Sequence, residues 1–374
     1  MVFFDTINHN DATFTFIGGF TMSNQQLTIG YYGNGKSTNR YHLPFLMRRQ
    51  AKIRVKTIYA RTLKNDWPRW ENITYTNQVD DLLTDTTIDV VVVTTPPETH
   101  YQIAKQVLLA GKNVVLEKPF THSVAEAQEL FDLAKAKGLM IQGYQNRRFD
   151  SDFLTTQSVI ESGKLGPLTE VEMHFDYFRP EVPLATDHYD KASSYVYNHA
   201  CHTVDQVLAY FGQPTSYHAD VRQLLGTGRM NDYFDLDFYY QPETSAMPIT
   251  PGGLKVSIKS SYFRIKPRPS FVVYGQRGMF MKADKDRQEA DLKKFYLPDH
   301  DDFGLDQPQH YGTLTYYDDQ GQYHEEAVPT VPGDNGRFYD ALYDTLINHQ
   351  PVLVTEAQTM QQMMILDRIT QPLK

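Results

Sequence analysis

The chain has 374 residues, with 36 Lys and Arg against 45 Asp and Glu, for a formal charge of −9. At about 150 residues per domain this length predicts two domains, and the acidic balance argues against partners such as nucleic acid or an anionic membrane. Charged residues at 22% and aromatics at 13% exclude a disordered or coiled-coil chain, and a lone cysteine, Cys201, favours the reducing cytoplasm.

Residues 1–24 show no clear period. The apolar stretch Phe14-Thr15-Phe16-Ile17-Gly18-Gly19-Phe20 is preceded by no Lys or Arg, the first being Lys36, so a secretory signal is not expected. We read this segment as an upstream extension or an overcalled start, with Met22 as a second candidate initiator. No run nears the roughly 18 apolar residues of a membrane span. Over residues 25–147, short β-branched runs alternate with amphipathic stretches, the pattern of a doubly wound parallel sheet. Strands are expected at Leu27 to Tyr32, Ile53 to Tyr59, Ile73 to Thr76, Ile88 to Thr94, Asn113 to Glu117 and Leu139 to Tyr144. A helix start is expected over Asn39 to Arg49 despite Pro44. Ile103, Ala104, Val107 and Leu108 mark a helix stopped by Gly111. Ser123 and Glu126 form a capping box ahead of Ala127, Leu130, Phe131 and Ala134, with Gly138 as the stop.

Residues 148–374 change character. Alternation in Val171 to Tyr177 and Leu254 to Lys259 predicts an α+β domain built on a large, mostly antiparallel open sheet, for substrate binding and oligomerisation. Two late helices follow, which either stay with this domain or pack back on the first. One carries Phe338, Ala341, Leu342, Thr345 and Leu346 on a stripe. The other opens with a Thr355 to Gln358 capping box and carries Met360, Met364 and Ile369.

After the first strand comes Gly33-Asn34-Gly35-Lys36-Ser37-Thr38, a GxGxxG fingerprint with Thr in place of the third glycine. Glycines there let the backbone turn tightly and approach a pyrophosphate, whose charge meets N–H groups at a helix start. The branched Thr38 puts close helix-to-strand packing in doubt. The second strand ends in Tyr59-Ala60-Arg61, with no carboxylate for a ribose 2′-hydroxyl and one guanidinium for a 2′-phosphate, so NADP is expected in preference to NAD.

The fourth and fifth strands end in Thr94-Thr95-Pro96-Pro97 and Glu117-Lys118-Pro119-Phe120, where an open α/β sheet places its ligands. Together with the phosphate loop, His100, Arg148-Phe149 and His202-Thr203-Val204-Asp205, these segments resemble the glucose-fructose oxidoreductase and inositol dehydrogenase family, Gfo/Idh/MocA, over about Leu27 to Gly212. Gly35 to Thr38, Arg40 to Pro44 and Tyr144 to Asp150 are similar to its bacterial members of the YhhX type. The resemblance implies an NAD(P)-binding Rossmann domain and a dehydrogenase or reductase acting on CH–OH groups. It places Gly33, Gly35, Lys36, Ser37, Thr38, Thr94, Thr95, Pro96, His100, Glu117 and Lys118, with Arg61, at the cofactor. Asn146, Arg148, Asn198 and His202 fall at the substrate.

By the same resemblance Lys118 hydrogen-bonds the reacting hydroxyl beside the nicotinamide, His202 is the general acid/base, and the Lys118–Pro119 peptide is cis. The chemistry suits both groups: an imidazole exchanges a proton near neutrality, and an ammonium stabilises a developing alkoxide. The family often has Asp four residues before this histidine. Asn198 stands there instead and cannot take a proton, which leaves His202 as the base. Asp205 either orients His202 or caps a helix turn. His199, Cys201, His202 and Asp205 would divide between two helix faces, so no metal site is expected.

The expected function is oxidation or reduction of a sugar, polyol or related small molecule. The alternatives are a non-catalytic dinucleotide-binding regulator and a glycosidase using NAD transiently on the same fold. The aromatic strands around Val171 to Tyr177, Tyr233 to Tyr240 and Leu254 to Tyr262 predict a sheet-mediated homodimer or homotetramer.

Overall fold

The computed structural model describes residues 25–180, 188–191 and 194–370; the expectations for residues 1–24 lie outside the described residues. Strands β1 (Leu27–Tyr32), β2 (Ile53–Tyr59), β3 (Thr74–Thr76), β4 (Val90–Val93), β5 (Asn113–Leu116) and β6 (Ile141–Gly143) form a parallel sheet in the order β3-β2-β1-β4-β5-β6. The order reverses between β1 and β4, which opens a crevice at their C-terminal ends. The four valines of β4 are buried on both faces, as a central parallel strand requires. β4, β5 and β6 end just before Thr94, Glu117 and Tyr144, whose N–H groups still donate to Tyr32 O, Val93 O and Leu116 O at 3.0, 3.0 and 2.8 Å, and all three residues line that crevice.

Helices α1 (Leu43–Leu46), α2 (Asp80–Leu83), α3 (His100–Leu109) and α4 (Val124–Ala136) flank this sheet. The Ser123–Glu126 capping box makes both of its bonds, each at 3.2 Å. The run expected as one helix from Asn39 to Arg49 is instead broken into a π-helical turn over Ser37–His42, then α1, then a 3-10 turn over Met47–Arg49. Pro44 lacks the N–H that an α-helix would donate to Arg40, and the Leu43 N–H reaches five residues back to Thr38.

The second sheet contains β7 (Leu168–His174), β8 (Ser216–Arg222), β9 (Tyr233–Tyr240), β10 (Leu254–Ser261), β11 (Phe271–Gly275), β12 (Gly278–Lys282), β13 (Gly312–Tyr317) and β14 (Tyr323–Val328). Their order is β14-β13-β12-β11-β7-β10-β9-β8, antiparallel except between β7 and β10. Helices α5 (Ser151–Glu161) and α6 (Tyr195–Phe211) pack on one face, against Val171, Phe234, Leu236, Phe238, Val256 and Ile258. This corrects the expectation that these aromatic and aliphatic side chains form an exposed self-associating surface. The opposite face carries a Lys255–Glu170 pair at 2.5 Å and Lys259 at 3.7 Å from both Glu172 and Asp235.

After α7 (Gln288–Lys293), helices α8 (Arg337–Ile347) and α9 (Glu356–Ile369) return to the first sheet. Phe338, Tyr339 and Leu342 join the core beneath β1, and Met363 joins the core beneath α4. In α9 Ile369 is buried and Met360 packs against the core as expected, whereas Met364 is 53% exposed and Met363 and Leu366 are buried in its place. Among the described residues no helix is long and apolar enough to cross a membrane.

Candidate active site

Gly33 leaves β1 with its N–H donating to Tyr59 O at 2.9 Å and φ at +128°. A Cβ there would lie 2.5 Å from Thr94 Oγ1, so a side chain is excluded by both conformation and space. Gly35 differs: a Cβ on it would meet no atom within 4 Å. The missing side chain therefore relieves nothing within the protein and leaves open space at a helix start. Thr38 is fully buried, donates to Gly33 O at 2.7 Å and lies 2.7 Å from Thr94 Oγ1. Hydrogen bonds thus replace the close packing that a third glycine would give.

At the end of β5, Glu117 accepts from the Lys118 N–H at 2.9 Å, from the Ser37 hydroxyl and from His42 Nε2 at 3.0 Å. Burial opposes its ionisation, but His42, Lys118 and Ser37 outweigh burial and hold the carboxyl at about 2. His42 is fully buried, stacked on Tyr144 at 3.9 Å, with Nδ1 2.6 Å from the Tyr339 hydroxyl. An ionised carboxylate only accepts, so His42 Nε2 carries a proton and donates to Glu117. The broken helix is what turns His42 inward while its neighbour Tyr41 faces the cleft. The Lys118–Pro119 peptide is cis.

A cavity of about 390 Å³ lies between the two sheets. It brings together Lys36, Ser37, Thr94, Thr95, Glu117, Lys118, Asn146, Asn198 and His202 from segments scattered over the first 202 residues. Tyr41, Phe45, Arg147, Glu289, Leu292 and Asn335 also line it. Sequence reasoning missed these. Tyr41 had a signal in its closeness to the phosphate loop, whereas Glu289 and Asn335 reach the cavity only through the tertiary fold. His202 lies on α6 with Nδ1 buried and, among the described residues, without a hydrogen-bond partner. Burial, then the charges of Lys118 and Arg147, push its pKa well below the ordinary imidazole value, so the ring is neutral near pH 7.

Other expected site residues stand elsewhere. Arg148 is buried away from the cavity, its guanidinium paired with Asp205 at 2.7 and 2.8 Å, while adjacent Arg147 faces the cleft. This pairing also decides the role of Asp205, which binds Arg148 and does not orient His202. His100 is fully buried behind the site, with Nε2 2.9 Å from Thr95 O and Nδ1 2.9 Å from Pro119 O, so it braces the two strand-end loops. Pro97, not Pro96, reaches the cavity. Arg61 lies exposed just beyond β2, apart from the cavity. Asn198 does line the cavity, with Nδ2 donating to Ser194 O at 3.0 Å. Among the described residues no three His, Cys, Asp or Glu side chains converge as metal ligands.

Two family descriptions match the chain. Residues 27–144 match the Gfo/Idh/MocA oxidoreductase family, NAD-binding Rossmann fold, and residues 157–373 match its C-terminal alpha/beta domain. The chain belongs to the Gfo/Idh/MocA oxidoreductase family. It is 39% identical over 344 residues to the oxidoreductase YhhX of Escherichia coli (strain K12), covering 91% of this chain and 95% of that one. It is 29% identical over 323 residues to IolW of Bacillus subtilis (strain 168), a scyllo-inositol 2-dehydrogenase (NADP(+)), covering 86% of each. The crystal structure of YhhX superposes with a TM-score of 0.84 at 38% identity, covering 92% of this chain and 96% of that one. A Bacillus cereus oxidoreductase does so with 0.84 at 39%, covering 92% and 95%. Like its Gfo/Idh/MocA relatives, the chain is an NAD(P)-dependent oxidoreductase with a Rossmann domain.

Proposed function

We propose that this oxidoreductase acts on a CH–OH or carbonyl carbon of a sugar, polyol or related small molecule, with NADP preferred to NAD. The observation that carries this reading is the meeting of Lys118 and His202 in one cavity beside the glycine loop. The bound dinucleotide supplies or accepts the hydride. The neutral His202 ring takes the proton from the substrate hydroxyl, and the Lys118 ammonium stabilises charge developing on that oxygen. Asn146 and Asn198 offer amide groups to neighbouring hydroxyls. Glu117, ionised and held by His42 and Ser37, fixes the Lys118 backbone. The preference for NADP is supported by Arg61, by the absence of a carboxylate in Tyr59-Ala60-Arg61, and by the NADP(+)-linked relative IolW. We also propose self-association through the outer face of the second sheet, on which α5 and α6 do not pack.

The test is a panel of sugars and polyols screened for absorbance of reduced cofactor, with NAD and NADP in parallel. On the substrate found, Lys118→Ala and His202→Ala each lower turnover by about a hundred- to ten-thousandfold while NADP affinity stays within about tenfold. Normal turnover by either variant removes that residue from the chemistry. Release of sugar without net reduction of cofactor points to the glycosidase instead.

A further inference from the structure

One helical turn before His202 on α6, His199 stands among aromatic rings, with Tyr195 at 4.3 Å, Tyr177 at 5.5 Å and Tyr262 at 6.2 Å between centroids. Three cations lie on the same cluster. Arg147 sits 5.1 Å over Phe175; Lys285 sits 4.0 Å over Phe175 and 4.7 Å over Tyr177; Arg179 sits 4.6 Å over Tyr177 and 5.5 Å over Tyr262. Cations and rings alternate in a ladder, and Arg147 belongs both to it and to the reaction cavity.

The carboxylates nearby are engaged, two of them with Arg147 itself, which leaves Lys285 and Arg179, among the described residues, as the cations of the ladder without a carboxylate. Glu289 and Asp150 pair with Arg147 at 2.5 and 3.0 Å, and Glu289 also holds Lys293. Asp176 pairs with Arg268 at 2.8 Å. Asp152 takes the Ser270 hydroxyl and Asp286 the Ser151 N–H, and burial raises the pKa of both, favouring their neutral forms. Lys285 donates to the Asp176 carbonyl at 3.1 Å. Among the described residues no carboxylate pairs with Lys285 or Arg179, and an aromatic face is a weaker partner for a cation than an anion is.

Burial, then the charge of Arg147, pull the Lys285 ammonium down to about 8, while Asp152, Asp176 and Glu289 act in the opposite direction. His199 is held at about 3 by burial first and then by Lys118, Arg147 and Arg179, so a single neutral ring senses the reaction-site lysine and two rungs of the ladder.

We propose that Lys285 and Arg179 form an anion subsite beside the reaction cavity, next to Arg147 of its lining, which takes a carboxylate or phosphate carried by the substrate. The proposal rests on the oxidoreductase reading and narrows it to a sugar or polyol bearing an acid group away from the oxidised carbon.

Calorimetry on the full-length chain with NADP tests this, with D-gluconate, glucose 6-phosphate, orthophosphate and neutral myo-inositol as probes. At least one anion binds more tightly than myo-inositol, and the gluconate and phosphate arms identify which acid group is preferred. Lys285→Met and Arg179→Ala each weaken that anion by about ten- to a hundredfold and leave myo-inositol unchanged. Anion affinity of the unaltered chain falls as pH rises through about 8, where Lys285 loses its proton, and Lys285→Met flattens this dependence. Melting curves establish that each variant is folded, and Arg179, at the exposed end of the ladder, serves if Lys285→Met is not. No anion binding by the unaltered chain, tighter myo-inositol binding, or anion binding indifferent to both substitutions overturns the proposal. NADP titration separates the two readings: lost NADP binding counts against the oxidoreductase reading, whereas intact NADP binding with an anion-indifferent cavity overturns the subsite alone.

Discussion

Arg148 and Asp205 form a two-pronged ion pair, Nε to Oδ2 at 2.8 Å and Nη2 to Oδ1 at 2.7 Å, that locks the turn after β6 to the middle of α6. The same guanidinium donates to Leu353 O at 2.7 Å and to Gln358 at 3.2 Å, so one side chain joins three segments distant in sequence. Removing one member of a buried pair strands the other charge. Arg148→Met is expected to cost about 3 to 5 kcal/mol in denaturant unfolding, with NADP affinity of the folded chain unchanged. Unchanged unfolding with weaker ligand binding would return Arg148 to a binding role.

Glu117 makes acid stability a sensitive readout of the site. Its carboxyl is held at about 2, below the ordinary 4.5, by His42, Lys118 and Ser37 against the effect of burial. A depressed folded-state pKa contributes stability that is present above the unfolded value and lost as pH falls through the folded one. Unfolding free energy should therefore drop between about pH 4.5 and 2, by an amount on the order of 3 kcal/mol from this group. Glu117→Gln should flatten that part of the profile; an unaltered slope would show that other carboxylates set it.

Gly33 and Gly35 separate packing from ligand binding. Gly33→Ala brings a Cβ against Thr94 at φ +128° and should destabilise the fold by about 1 to 3 kcal/mol. Gly35→Val meets open space and should leave melting nearly unchanged while sharply weakening NADP. Tight NADP binding by the Gly35 variant would move the pyrophosphate away from this loop.

Arg61 should discriminate between the dinucleotides. Arg61→Ala is expected to weaken NADP by about ten- to a hundredfold, the worth of a charge-assisted contact, and to leave NAD unaffected. Parallel titrations that weaken both equally would remove Arg61 from the 2′-phosphate.

Assembly is tested by light scattering. Twice or four times the 43.1 kDa of one chain is expected at micromolar concentration. Because the outer face of the second sheet carries Lys255–Glu170 and Lys259 near Glu172 and Asp235, association through it should respond to salt. A mass near that of a single chain would reject it.

Local rules account for what was legible in the sequence. The β-branched runs, the glycine loop and the Ser123 and Thr355 capping boxes depend on neighbours within a few residues, and all of these appear in the fold. The placing of Lys118 and His202 beside one crevice followed from strand-end logic and from family resemblance. Three-dimensional packing decided the rest. Arg147 and Arg148 are adjacent and chemically alike, yet a 3-10 turn sends one into the cavity and the other onto Asp205, 57 residues away. The apolar side chains of β9 and β10 alternate as in any half-buried strand, and only the helices packed on one face fix which side is inside. The His42–Glu117 contact and the cation ladder join residues from distant segments. No local pattern encodes such pairs, because their energies depend on distances set by the whole fold.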